Sequence, residues 1–440
     1  MRRLRLARDL GLWDSVLLGI GFIVGSGIFL MPVLAAQTAG SWSLVAWFLA
    51  GIFTIITGLC FAELAVRIPK AGGLYAYAHE VLGEFWGFIT GYAFWMSYWV
   101  TIAVETLALA LYLSFFTTLT LGVRIAISIF IALMLTAINY RGVKLGGEAE
   151  DVFTIAKLIP LGILVIAGIA VLNPQSLSSG FQITQAVYGS QGILGAIFAS
   201  FVLVLWAYQG VEIITVPEEE IKNARKTVPR AIIIAVVSVM LLYLLVSLVV
   251  LGSVRWQDYA GSETALADIG GKLIGKWGGL LLALGGLVSI LGALNAVILA
   301  SARISFAMAR DGLFPSLFYH IHPMHYTPDR ALLFHMALVC LLLFFIHDFI
   351  SLASLVVLFT LIPWFFSCVA AFKLQRAKHE HSLFNSQWVP ALAVLSTAAL
   401  IAYLLMQYWL QTLVVLIVGI AYYLNKRSGN GIKALPTPMQ

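Results

Sequence analysis

The run GIGFIVGSGIF, residues 19–29, decides how the rest of the chain is read. It lies within an apolar stretch at 12–38, long enough to cross a ~30 Å hydrocarbon layer as a helix. Its middle, Gly25-Ser26-Gly27, puts three residues of weak helix propensity in a row. Inside a membrane, freed N–H and C=O groups are tolerated only where they line a polar cavity or are buried in protein. The stretch is therefore read as a broken helix. Carbonyls ending its first half, around Ile23 and Val24, can accept from an ammonium group. N–H groups opening its second half, around Ser26 and Gly27, offer a positive dipole end to a carboxylate. An α-amino acid carries both groups close together. Close helix packing through small residues is the alternative. A second Gly-interrupted run, WAYQGVE at 206–212, favours a site.

Outward from this stretch, apolar runs follow one another. Of the 440 residues, 61% are hydrophobic and 10% charged, against roughly 25% charged in a soluble domain. Helices are predicted near 12–38, 41–66, 85–116, 122–140, 151–172, 191–216, 230–252, 276–309, 331–347, 351–372, 388–406 and 409–425. The fold class is thus an all-α integral membrane protein of twelve transmembrane helices. A membrane β-barrel would show short segments of strict alternation instead. The first run continues to about Ala36 without a convincing cleavage site, so it reads as a retained helix rather than a signal peptide.

Lys and Arg sort sharply between the loops. Twenty, from Arg2, Arg3, Arg5 and Arg8 to Lys426, Arg427 and Lys433, fall at the termini and even-numbered connections. Arg124, Arg255, Lys272 and Lys276 fall on the other side. The bias places both termini in the cytoplasm of a multi-pass inner cell membrane protein, with lipid as its surroundings. It also accounts for the +6 net charge without a nucleic acid partner. The uncharged loop 173–190 divides two halves, each opening on a Gly-broken helix. The expected domains are a cytoplasmic N-terminus (1–11), a first repeat of five helices (12–172), an inverted second repeat (191–372), two further helices (388–425) and a cytoplasmic tail (426–440), with 425–440 read as disordered. Secondary transporters are often built this way, with sites where matching helices break near the midplane.

Several strings resemble the amino acid/polyamine/organocation superfamily, in its order and over most of the chain. They are GIGFIVGSGIFLMP (19–32), FAELAVRIPKAGGLYAYAHEVLG (61–83), NYRGVK (139–144), PEEEIKNARKTVPRAI (217–232) and SARISFAMARDGLFP (301–315). The resemblance implies a LeuT-type 5+5 inverted repeat and amino acid or polyamine transport by alternating access, as an exchanger or with protons as the coupled ion. It places Ile23, Ser26 and Gly27 where backbone groups hold the solute's amino and carboxylate groups. Trp206 matches an aromatic that covers the solute, with ordinary packing as its alternative. Lys157 matches a lysine that stands in for sodium in sodium-independent members. Its alternative is snorkelling from a point only ~9 Å into a helix starting at 151. Glu212 matches a proposed proton-responsive group, or it pins the second break as an acceptor.

Other positions rest on the residues themselves. Gln209, beside Gly210, either points its amide into the cavity or satisfies freed backbone. Glu105 departs from the family pattern. It can pair with a cationic solute side chain or with a buried base such as Lys157, since intramembrane charges usually find partners. Glu63 and Arg67 are spaced for an i,i+4 pair. Glu218 to Glu220 with Lys222, Arg225 and Lys226 read as a mixed cytoplasmic loop, a solvated face or a gate contact rather than a metal site. Arg303 and Asp311 read as holding the inner end of a helix. Cys60, Cys340 and Cys368 read as packing residues. His320, His322 and His325 cluster without carboxylate support for a metal. No Walker loop points to ATP, no nucleophile or paired-carboxylate motif points to an enzyme, and no bound cofactor is expected.

Overall fold

A computed structural model describes residues 10–68, 72–142, 147–181, 192–216, 221–375, 383 and 386–430. The expected positions at Arg2 to Arg8, Lys70, Lys144, Glu218 to Glu220, Arg376, Lys378 and Lys433 lie outside these residues.

The first predicted span divides into α1 (Leu12–Ile23) and α2 (Gly27–Ala39). Next come α3 (Ser43–Arg67), a short α4 (Gly73–Leu82), α5 (Glu84–Leu113), α6 (Leu121–Tyr140), α7 (Gly147–Ala170) and α8 (Pro174–Phe181). The second half holds α9 (Gly192–Tyr208), α10 (Ala224–Gly252), α11 (Ala265–Ile274), α12 (Lys276–Arg310), α13 (Asp329–Phe345), α14 (Phe349–Gln375) and α15 (Trp388–Asn430). Eight runs among the described residues are long and apolar enough to cross a membrane. Two of these, Gly27–Arg67 and Trp388–Arg427, hold 41 and 40 residues, about twice what one crossing needs. In the second, Tyr408 leaves helical geometry at φ −118°, between the two helices predicted there.

Three expectations need correction. The loop at 173–190 begins with the helix α8, set at 96° to the end of α7. The tail read as disordered is helical as far as Asn430. The sixth span does not resume as an α-helix after its break. Gly210 has φ +109°, and a 3-10 turn, Val211–Thr215, follows.

The core sits between two helix sets. In one, α10 packs along α3 and α1; in the other, α12 and α14 pack along α5. Helix α5 is buried almost throughout, whereas α6 and α15 bury only part of their length and leave Phe130, Leu410 and Ile417 exposed. Exposed apolar side chains in such number on outer helices suit a lipid solvent. Trp47, Tyr208 and Tyr243 form a fully buried aromatic knot, with ring centroids 5.3–5.9 Å apart. It joins α3, α9 and α10 behind the first break.

At one end of the bundle the chain closes on itself. Lys222 N donates to Leu10 O at 2.8 Å, tying the approach of α1 to that of α10. Arg67 bonds Glu63 at 2.6 Å and Leu374 O at 2.7 Å, while Glu63 also accepts from Leu383 N at 2.7 Å. Tyr75 donates to Asp311 at 2.9 Å. Burial, and then the neighbouring Asp311, push its phenol up from the ordinary tyrosine range, so it remains a donor.

Candidate functional site

The end of α1 is built from carbonyls that the break releases. Gly25 N turns to Ile23 O at 3.0 Å rather than continuing the helix. Tyr243 Oη donates to the same Ile23 oxygen at 3.1 Å. Val24 O accepts from Lys157 Nζ at 3.1 Å and from Ser289 Oγ at 2.8 Å, and Lys157 also bonds Gly21 O. Lys157 is 3% exposed and lies ten residues into α7, about 15 Å along it. Snorkelling to an interface is therefore not its role. Its ammonium joins α7 to the end of α1 where Ser289 of α12 also arrives, offsetting carbonyls that would otherwise be buried without donors.

The start of α2 lies against a second helix. Ser26 is its N-cap but caps nothing with its hydroxyl. Ser26 Oγ donates instead to Glu105 Oε1 at 3.1 Å and receives Trp206 Nε1–H at 3.3 Å. A Cβ on Gly27 would stand 2.5 Å from Ala207 Cα, so only glycine permits this crossing of α2 and α9. The first amides of α2 have no carbonyl of their own helix to meet.

The second break is pinned locally. Glu212 Oε2 accepts from Gly210 N at 3.2 Å, and Gln209 Oε1 accepts from Thr360 Oγ1 at 3.3 Å. A Cβ on Gly210 would meet Phe22 at 2.3 Å, and its positive φ is one that side chains resist.

Between the breaks lies a cavity of about 40 Å³. Ile23, Gly25, Gly27, Glu105, Trp206, Gln209, Gly210 and Glu212 all line it. Ser26 sits at its wall through the bonds to Glu105 and Trp206. Val24 and Lys157 lie behind it, holding the α1 end. The resemblance did not point to Phe22 of α1, Ser97, Tyr98 and Thr101 of α5, Ala293 and Val297 of α12, or Thr360 of α14, which complete the lining. Ser97, Thr101 and Glu105 recur every four residues, a polar stripe on one helix face that was legible in the sequence. Trp206 is 6% exposed and not lipid-facing. Glu105 and Tyr98 are buried, and among the described residues Glu105 Oε2 and Tyr98 Oη find no hydrogen-bond partner.

Elsewhere, His320 pairs with the carboxylate of Asp329 at 2.7 Å, so a carboxylate does reach that cluster. His322 and His325 stack at 4.5 Å between centroids. Among the described residues no group of three or more such side chains could hold a metal.

Two broken helices facing one small buried cavity occur in a chain that matches the family described as amino acid permease over residues 10–424. The chain belongs to the amino acid permease family. It is a multi-pass membrane transporter, not an enzyme. This permease is 32% identical over 409 residues to the serine/threonine exchanger SteT of Bacillus subtilis (strain 168), covering 89% of each chain. It is 30% identical to the methylthioribose transporter of the same organism, over 74% of this chain and 72% of that one. It is 29% identical to the large neutral amino acids transporter small subunit 2 of Homo sapiens, over 75% of this chain and 63% of that one.

Proposed function

We propose that this permease is a sodium-independent exchanger of neutral amino acids. It works by alternating access as twelve spans in a 5+5 inverted repeat plus two, with both termini cytoplasmic in the inner cell membrane. The observation that carries the reading is the pair of unwound segments, at 24–26 and 209–210, facing one cavity of about 40 Å³. Binding sites of this kind lie at discontinuous helices, where half-helix ends meet charged groups. The solute carboxylate faces the amides that open α2 at Gly27. The neutral class is favoured by the relatives named for serine, threonine and large neutral amino acids.

Sodium independence rests on Lys157. Its ammonium already supplies positive charge to the carbonyls of Gly21 and Val24, the kind of oxygen set that a sodium ion would otherwise need. Ile23, Gly25, Ser26, Gly27, Trp206, Gln209 and Gly210 form the solute site in this reading, and Val24, Lys157 and Glu212 hold the breaks that move. Exchange is favoured over proton symport by the exchanger relative; Glu212, bonded to Gly210 N, is the group on which proton coupling would depend.

A cationic amino acid or polyamine is the second reading, favoured by the acid Glu105 in the cavity wall. A thermal-stability screen in sodium-free buffer separates the two. A ligand at a hundred times its Kd stabilises the folded protein by about 2.7 kcal/mol. Neutral amino acids are expected to raise the melting temperature, and polyamines to leave it unchanged. A shift seen only with polyamines or methylthioribose would remove the neutral amino acid assignment.

A further inference from the structure

Resting on the alternating-access reading above, we infer that Arg67, oriented by Glu63, is a latch that joins α3 to α14 at the inner end of the bundle and releases when solute leaves on that side. Inner is the side that both termini occupy in that reading. Helix α3 packs with α9 and α10, in the set that carries both breaks, whereas α14 packs along α5 in the other set. A solute held between the two sets can leave inward only where they part, and α3 and α14 meet along one such seam.

The seam is closed from the cavity to its inner end. Thr360 of α14 lines the cavity. One turn on, Trp364 packs against Phe53 and Phe61 of α3, with ring centroids 6.0 and 5.6 Å apart. A further turn on, Cys368 meets Cys60 of α3; neither exposes any surface, and their thiols are in hydrogen-bonding contact. In the last turn of both helices, Arg67 Nη1 donates to Leu374 O at 2.7 Å. The contacts follow α3 and α14 in the same direction, so the two helices lie side by side in one register.

The last contact differs from the others in kind. Carbonyls in the last turn of a helix have no amide of their own helix to meet, and Leu374 O takes its donor from α3. A cation suits that place, because the C-terminal end of a helix dipole is negative. Glu63, one turn earlier on α3, accepts from Arg67 Nε at 2.6 Å and so aims the guanidinium fork across the seam. The side chains of Glu63 and Arg67 are 0% and 6% exposed, so this is not a solvated surface bridge. The second Glu63 oxygen accepts from Leu383 N at 2.7 Å, which ties the chain beyond α14 to the same clasp. Apolar contacts are non-directional and tolerate sliding, whereas hydrogen bonds weaken steeply with misalignment. The Arg67 bond is therefore made in one register of α3 on α14 and lost when the sets part.

The native thiols report on this seam. Protein in sodium-free proteoliposomes is labelled with N-ethylmaleimide, and the rate at each cysteine is read by mass spectrometry, with Cys340 of α13, outside the seam, as the control. Arg67→Ala should raise labelling of Cys60 and Cys368 at least 10-fold and leave Cys340 within 2-fold. Arg67→Lys, which keeps a cation without the fork, should raise it 3- to 10-fold and decides where the alanine variant does not fold. Glu63→Gln should act as Arg67→Lys does, since the fork loses its anchor. Unchanged labelling overturns the latch, and so does an equal rise at all three cysteines, which marks general loosening. In the unsubstituted protein, copper phenanthroline should join Cys60 to Cys368. One S–S bond forms, two S–H bonds break, and two electrons and two protons pass to dissolved oxygen, giving hydrogen peroxide. Counterflow should then fall at least 10-fold and return with dithiothreitol, while Cys60→Ser exchanges equally well with and without the oxidant. Failure of the link to form, or a linked protein that still exchanges, overturns the inference. An unsubstituted protein that labels as described but moves no amino acid would instead overturn the permease reading on which the latch rests.

Discussion

Replacing Lys157 with Met removes an ammonium while keeping an unbranched side chain of similar length. Val24 O keeps the Ser289 hydroxyl at 2.8 Å. Gly21 O loses its charged donor, because the amide that would continue the helix, Gly25 N, is turned to Ile23 O. A stranded buried carbonyl costs about 1–3 kcal/mol. Removing a buried charge relieves some desolvation in return, so the expected net loss stays within that range. The variant should fold, with the α1 end loosened. If one arrangement of that end is needed to bind solute, a bias of about 1–3 kcal/mol corresponds to a 5- to 150-fold weaker apparent affinity. Lys157→Gln, which retains an N–H donor, should fall between. Concentration-dependent uptake in sodium-free proteoliposomes, with thermal melting of the same preparations, measures both effects. A Met variant that transports with unchanged KM and melts with the unsubstituted protein would refute the role given to this residue.

Three further outcomes are expected. Gly27→Ala puts a methyl group 2.5 Å from Ala207 Cα and 2.7 Å from its Cβ; overpacking of about 1–3 kcal/mol should lower the melting temperature. Adding Ala207→Gly should recover only part, since the α-carbon remains. Trp206→Phe keeps a ring at the cavity but loses the Nε1 bond to Ser26, so solute affinity should fall about fivefold for a loss of roughly 1 kcal/mol. His335 is buried where α5, α12 and α13 meet, bonded to Trp95 Nε1 at 2.6 Å, Ser301 at 3.0 Å and Ser305 at 2.9 Å. His335→Leu strands these partners and should destabilise by about 1–3 kcal/mol in chemical unfolding, with KM for transport little changed.

Much of the site was legible because membranes punish loose backbone. Gly25-Ser26-Gly27 and Gln209-Gly210 are costly in any span, so their presence marks the breaks. Lys157 was legible for the same reason. What its side chain does was not, because the depth of a lysine depends on where its helix begins, and α7 begins four residues before the expected 151. The saturation of Ile23 O and Val24 O comes from Tyr243, Ser289 and Lys157, which are far from the break in sequence. No local pattern announces such partners. Helices α4, α8 and α11 were missed since each holds 8–10 residues, too short for an apolar run, and lies at the bundle's ends. The polar stripe Ser97, Thr101 and Glu105 could have been found from its four-residue spacing, but it was obscured by the apolar and aromatic residues around it.

Counterflow in sodium-free proteoliposomes tests the central claim most directly. Vesicles loaded with unlabelled serine are expected to take up labelled serine or leucine several-fold faster than empty ones, with no further gain when sodium is added. Uptake that is indifferent to internal amino acid, or that appears only with sodium, would contradict an exchanger in which Lys157 fills the cation's place.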